Sequence, residues 1–269
     1  MNSGKGRVSG KVVIITGGGT GLGKAMALAL AREGADIVLT ARRIGPLEET
    51  AKEVTALGCR ALAISTDVTD SQQVNRMVEQ TLSQMGKLDV LINNAGIVRG
   101  QERKPLWEIT DQEWRLGIDT NLSGVFYCCR AVSNYFFTQK RGKIVNVASG
   151  NGMRGMRGDF MYGSAKAAVI NFTRVLAMTW STDNIQVNCI VPGFVATEAI
   201  RPAGSISLKS DFIPVGRIGI PQDIGSLGLF LVSDASDYIT GGVFAADGGG
   251  LAGGVAPTGF APIIAMEED

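Results

Sequence analysis

The amino-acid sequence predicts an α/β fold, a doubly wound parallel sheet of about seven strands with helices on both faces. Three observations carry that prediction. Short apolar runs recur along the chain, stretches with helical spacing separate them, and no linker, repeat or low-complexity segment interrupts the alternation. Parallel strands need a long crossover between them, and a helix is what supplies it. A length of 269 residues is ample for one domain spanning 1–269.

Residues 11–16 (KVVIIT) form a continuous apolar run closed by glycines, the pattern of a strand buried on both faces. Residues 21–33 place alanine and leucine at helical spacing, 36–40 read as a second strand and 45–57 as a second helix. The unit repeats as strand 61–65 and helix 71–85, and 88–92 supplies a fourth strand. Thr110 and Glu113 have capping-box spacing and open one long helix running towards Thr138. Strand 144–148, helix 160–182 and strand 185–191 follow. Pro221 suits a first helical position, so a helix spans 221–233, and 243–246 is the last strand. Two stretches stand outside the pattern. Residues 194–214 read as a lid over a substrate, and 250–269 as a tail rich in glycine, proline and apolar residues.

Composition removes whole classes of chemistry. The chain has 26 basic and 25 acidic side chains, a net charge of +1, and no histidine. Near-neutral charge offers no footprint for nucleic acid or an anionic membrane. Without histidine there is no Ser-His-Asp triad, no Cys-His pair and no His-ligated metal, so no metal centre is expected. Acid–base work near neutral pH falls to a carboxylate, lysine, cysteine or tyrosine with a displaced pKa. The cysteines Cys59, Cys128, Cys129 and Cys189 contain no C-x-x-C pair and read as small core residues of a reduced, cytoplasmic protein. No run reaches the roughly 18 apolar residues of a membrane span.

Thr16-Gly17-x-x-x-Gly21-x-Gly23 lies between the first strand and first helix. Glycines there let the backbone turn and approach a pyrophosphate, which the helix N-terminus holds through its free N–H groups. The rival reading is the phosphate loop of a nucleoside triphosphatase, Gly18-x-x-x-x-Gly23-Lys24. It fails because Ala25 stands where a metal-binding hydroxyl is required, and Lys24 then reads as a solvated helix residue. At the end of the second strand, Thr40-Ala41-Arg42-Arg43 carries no acid for the ribose of NAD, and a guanidinium suits the extra phosphate of NADP. NADP(H) is therefore favoured over NAD(H), against the alternative that both arginines are solvated loop charges.

The candidate proton donor is Tyr162, with Lys166 one helical turn on. A nearby ammonium, helped by the positive nicotinamide of an oxidised cofactor, is expected to lower the tyrosine pKa, which is near 10 when free. Ser149 follows the fifth strand at the edge where ligands bind, and its hydroxyl could hold a substrate oxygen.

Gly17, Gly21 and Gly23, Asn93-Asn94-Ala95-Gly96, Asn121, Ser149, Tyr162 with Lys166, and Pro192-Gly193 occur in order. The chain resembles the short-chain dehydrogenase/reductase family over roughly residues 9–250, which implies a Rossmann-type fold. The resemblance implies catalytic roles for Asn121, Ser149, Tyr162 and Lys166, with Asn121 holding a water that links the lysine to solvent. For the cofactor it implies Gly17, Thr20, Gly21, Leu22 and Gly23 at the pyrophosphate, and Arg42 and Arg43 at the adenosine ribose. Asp67 and Val68 would meet adenine, Asn94, Ala95 and Gly96 its ribose, and Pro192, Gly193, Val195 and Thr197 the nicotinamide side. Without the family, Asp67 and Asn121 read as turn and helix-packing polarity.

The expected substrate walls are 151–161, 97–105 and 194–214, with Asn151, Met153, Arg154 and Phe194 as candidate contacts. Arg154 and Arg157 suit an anionic substrate or a phosphate-bearing thioester, or else are rim or interface charges. An acyl-carrier partner is disfavoured by Asp183 at the end of the fifth helical stretch, while a cyclic ketone or a sugar-like polyol stays open. The apolar residues Val125, Phe126, Val132, Phe136, Phe172, Val175 and Leu176 are expected to pair between subunits of a homo-oligomer, by resemblance a tetramer. The tail, with Phe260, Ile263 and Ile264, is expected to pack on a neighbour or cap a pocket. The reading is a hydride-transferring enzyme acting on a small carbonyl or alcohol, and its alternative is a catalytically idle dinucleotide sensor or scaffold.

Overall fold

A computed structural model of the chain describes residues 6–97, 104–197 and 213–253. Seven strands form one sheet in the order β3-β2-β1-β4-β5-β6-β7. They are β1 (Val12–Thr16), β2 (Asp36–Ala41), β3 (Ala61–Ser65), β4 (Val90–Asn93), β5 (Gly142–Val147), β6 (Ile185–Pro192) and β7 (Val243–Ala246). Every neighbouring pair is parallel. The expected α/β class and strand count hold, with boundaries moved by a residue or two. The fourth strand starts at Val90 because Asp89 turns to accept the Val12 N–H at 2.8 Å.

The helices are α1 (Gly21–Ala31), α2 (Ile44–Ala56), α3 (Ser71–Met85), α4 (Asp111–Ile118), α5 (Gly124–Gln139), α6 (Tyr162–Trp180) and α7 (Pro221–Val232). The β1 run is buried throughout because its alternate residues serve two cores. Val12 and Ile14 face α3, α5 and α6 through Met77, Val132 and Val169. Val13 and Ile15 face α1, α2 and α7 through Leu30, Leu47 and Ile224. Each fully buried aliphatic side chain of this kind contributes about 1.5–3 kcal/mol.

Helix starts follow local chemistry. Asp70 caps α3 by accepting from the Gln72 and Gln73 N–H groups, and Thr110 with Glu113 makes the expected capping box. The single helix expected from 110 to 138 is interrupted. Asp119–Ser123 forms a π turn between α4 and α5. The Asn121 side-chain amide donates to the Gly117 carbonyl at 3.0 Å, the group that in a regular helix would accept from the N–H of residue 121.

The chain leaves β1 for β2 on one side and reaches β4 on the other, so the strand order reverses beside β1. A crevice opens there at the carboxyl edge of the sheet, where doubly wound folds bind ligands. Among the described residues no helix is long and apolar enough to cross a membrane.

The apolar face assigned to subunit pairing needs correction. Val125, Val132, Phe136 and Leu176 are buried in the chain's own core, whereas Phe126 and Val175 are exposed. The spacing marked an apolar helix without saying which side meets the sheet.

Candidate active site

A cavity of about 730 Å³ fills the crevice, and its lining gathers residues from every strand end between β1 and β7 except β2 and β3. The β1–α1 loop forms its floor. Gly17 and Gly21 adopt φ of +67° and +53°, a region glycine enters without strain. Asn94 fastens this loop, its side-chain amide donating to the Thr16 carbonyl at 3.0 Å and the Gly17 carbonyl at 3.2 Å. The Thr16 hydroxyl accepts from the Asn94 and Ala95 N–H groups at 3.0 Å. A Cβ on Gly23 would fall 2.2 Å from the Gly17 carbonyl oxygen, so Gly23 lets α1 seat against the loop instead of touching a ligand.

A dinucleotide fits these residues. The first turn of α1 has no side-chain cap at Thr20 and no acidic residue, leaving its N–H groups open to an anion. Gly17, Thr20, Gly21 and Leu22 all line the cavity beside them. Lys24 is paired with Glu53 at 2.7 Å and is therefore not the free surface residue expected; nor is it available to a triphosphate.

Ser149 follows β5 and caps the short turn Gly150–Gly152, its hydroxyl accepting from the Asn151 N–H at 3.2 Å. Tyr162 opens α6 and lines the cavity together with Ser149. The Asp159 carboxylate accepts from the Gly163 N–H at 3.1 Å and from Asn151 at 2.6 Å, fixing the approach to the helix. Lys166 is buried, with Nζ 5.6 Å from the centre of the Tyr162 ring and donating to the Val147 carbonyl at 2.8 Å.

The electrostatics correct one expectation. Burial pushes the Tyr162 phenol above its ordinary value, ahead of the opposing Ser149 hydrogen bond, and Asp159 adds to the rise. Burial also pushes Lys166 down to about 8. The Lys166 ammonium, which donates to the Val147 carbonyl, does not offset that rise.

Asn121 lies on the π turn, fully buried. Its Oδ1 accepts from the Ile97 N–H at 3.2 Å, and its Nδ2 donates to the Ile97 carbonyl at 3.1 Å as well as to Gly117. A Cβ on Gly96 would sit 2.8 Å from this Oδ1 and 3.4 Å from Lys166 Nζ, so the glycine keeps the two polar groups close.

Of the expected cofactor residues, Asn94, Ala95, Gly96, Tyr162, Lys166, Pro192, Gly193, Val195 and Thr197 also line the cavity. Gly23, Arg42, Arg43, Asp67 and Val68 do not. Arg42 and Arg43 are exposed where β2 gives way to α2. Asp67 accepts from the Thr69 N–H and hydroxyl in a turn, and Val68 is buried against α5 at Gly124. Of the substrate candidates, Asn151, Arg154 and Phe194 line the cavity, whereas Met153 points to solvent and is corrected. Arg157 is not on the lining either. Residues 98–103 of one expected wall and 198–212 of the lid lie outside the described residues.

Sequence reasoning missed Asp247, Gly250 and Leu251 on the lining. Asp247 accepts from the Gly249 N–H at 2.9 Å and the Leu251 N–H at 2.6 Å, folding the chain after β7 back over the opening. The signal available was positional: β7 ends at the same sheet edge as the other strands. The first residues of the tail thus reach a pocket, while 254–269 lie outside the described residues. Among the described residues no group of acids or cysteines could hold a metal ion.

Comparison with known proteins agrees with this geometry. The sequence pattern of the family described as short chain dehydrogenase matches residues 11–205. A 2-dehydro-3-deoxy-D-gluconate 5-dehydrogenase of Dickeya dadantii is 40% identical, over 91% of this chain and 97% of its own. A 3-oxoacyl-[acyl-carrier-protein] reductase of Synechocystis is 37% identical, over 90% and 97%. Among solved structures, a levodione reductase superposes with a TM-score of 0.86 at 32% identity, covering 91% of this chain and 99% of the other. A short-chain type dehydrogenase/reductase of Mycobacterium marinum gives 0.84 at 36% identity, covering 90% and 96%. The chain belongs to the short-chain dehydrogenase/reductase family and is an oxidoreductase of that family.

Proposed function

We propose that the chain interconverts a ketone and a secondary alcohol using NADP(H), with Tyr162 as general acid in reduction and general base in oxidation. The carrying observation is that Ser149, Tyr162 and the buried Lys166 line one cavity together with the glycine loop. A dinucleotide held by the glycine loop and by Asn94, Lys166 and Thr197 would supply the hydride to the carbonyl carbon in reduction and take it from the carbinol carbon in oxidation. Ser149 donates to the substrate oxygen and holds it beside the phenol. Tyr162 delivers the proton to that oxygen, and the Lys166 ammonium stabilises the phenolate left behind. A phenol with a raised pKa is protonated at neutral pH, the form a proton donor needs. Asn121 holds the backbone of Ile97 beside Gly96 and keeps its Oδ1 near Lys166, the side on which a water would connect the lysine to solvent.

The preference for NADP(H) is supported by Arg42 and Arg43 at the end of β2, both exposed, and by the absence of an acid there. Gly23 acts through loop packing, and Asp67 and Val68 through the wall behind the adenosine end. Self-association is supported by the exposed Phe126 and Val175 on α5 and α6, elements joined by a Phe126–Phe172 contact of 6.3 Å. Light scattering that finds only monomer would remove the tetramer from this reading. Four free thiols support a cytoplasmic location.

The test is Tyr162→Phe. Turnover of simple ketones should fall about 10²- to 10⁴-fold while NADPH still binds. An idle sensor would be indifferent to the change. Wild-type rates that are equal with NADPH and NADH would overturn the role of Arg42.

A further inference from the structure

We propose that the substrate carries a carboxylate and that Arg154 holds it, an inference resting on the oxidoreductase reading of the same cavity. Ser149 begins the turn Gly150–Gly152, and the chain curls so that the Arg154 N–H donates to the Gly150 carbonyl at 3.3 Å. The guanidinium is thus carried on the turn that starts at the substrate-orienting serine. Among the described lining residues only Arg154, Lys166 and Asp247 are charged.

Two of these three are committed. Lys166 donates to the Val147 carbonyl, and the Asp247 carboxylate accepts from the Gly249 and Leu251 N–H groups. The nearby Asp159 is engaged by Asn151 and the Gly163 N–H. Arg154 has no ion pair among the described residues. Met156, Phe194 and Leu251, which line the same cavity, carry no charge.

A planar donor fork on the lining, without an ionic partner among the described residues, matches a carboxylate through paired hydrogen bonds. Because Arg154 and Ser149 share one turn, the carboxylate and the reacting carbonyl belong to one compact molecule. That is a short oxo acid or hydroxy acid, in contrast to a long acyl chain delivered on a carrier.

The experiment measures kinetics on short oxo acids and their methyl esters, with a phosphorylated ketone and an acyl thioester alongside, using wild type, Arg154→Gln and Arg154→Lys. Wild type should favour acid over ester by about 10-fold or more in kcat/KM. Arg154→Gln should raise KM for the acid roughly 10- to 100-fold, change kcat little, and leave the ester within about 3-fold. Arg154→Lys should recover part of the loss, and salt should raise KM for the acid alone. Equal effects of Arg154→Gln on acid and ester overturn the assignment, as does a preference for the phosphorylated ketone, the thioester or the neutral ester. Turnover of neutral ketones without advantage for the acids overturns the carboxylate alone. No turnover across the panel with either nicotinamide cofactor overturns the oxidoreductase reading beneath it, and the carboxylate with it.

Discussion

Replacing Lys166 by methionine should stabilise the fold while removing activity. The ammonium is buried, and its pKa falls from an ordinary 10.5 to about 8, with desolvation as the first cause. At about 1.36 kcal/mol per tenfold change in proton affinity, that displacement is about 3 kcal/mol of penalty on the charged form. The penalty is complete below pH 8, where the folded lysine is protonated. Between about 8 and 10.5 the unfolded chain binds more protons than the folded one, so wild-type stability rises with pH across that window. Methionine keeps most of the volume and removes the charge, and loses the bond to the Val147 carbonyl, worth about 1–2 kcal/mol. The net gain at pH 7 is about 1–2 kcal/mol, or a Tm increase of roughly 2–6 °C. Thermal unfolding of both proteins at pH 7 and pH 10 tests this, the advantage shrinking at the higher pH. A variant less stable than wild type at pH 7, or an advantage independent of pH, refutes the reasoning.

Three other outcomes follow from the same geometry. Gly23→Ala brings a methyl group 2.2 Å from the Gly17 carbonyl oxygen, so NADPH affinity should weaken about 10-fold or more. Stability should fall by about 1–3 kcal/mol as the loop backbone gives way, and an unchanged affinity in a fluorescence titration contradicts the packing role. Because burial raises the Tyr162 pKa, ketone reduction should hold level through neutral pH and decline in alkali. Alcohol oxidation should rise with pH, and a reduction rate that climbs from pH 6 to 9 would count against a protonated phenol. Asn121→Ala strands the Ile97 and Gly117 groups it serves and should cost about 2–3 kcal/mol in urea unfolding, with a lower kcat/KM. A loss below about 0.5 kcal/mol would mean water replaces the amide.

Much of this architecture was legible because burial on two faces leaves a plain mark. KVVIIT can be nothing but apolar when alternate residues enter two cores. The shared location of the glycine loop, Ser149, Tyr162 and Lys166 was also readable, since strand ends and helix starts of a parallel sheet meet at one edge, and residues of all four line one cavity. The direction of the tyrosine pKa was not, because it turns on how deeply the ring is buried and where one ammonium points. The π turn was hidden too: one surplus residue is a smaller irregularity than helical spacing resolves. Asp247 and Leu251 reach the cavity because a turn after β7 folds back, a path that strand periodicity does not give. Phe126 and Phe136 look alike in sequence, yet one is exposed and the other wholly buried, since orientation about a helix axis is decided by the sheet it packs on.

The surplus residue in Asp119–Ser123 has a consequence for how this protein could change over time. A π turn holds one residue more than an α turn, so its flanks keep the bearings of an uninterrupted helix. Trimming that residue would leave Val125, Cys128 and Val132 aimed at the sheet as before, while the Asn121 amide was carried out of its place. A lineage could therefore shed or acquire this polar fixture by a one-codon event without rebuilding its interior, leaving a sound scaffold in which nothing ties Ile97 to the helix.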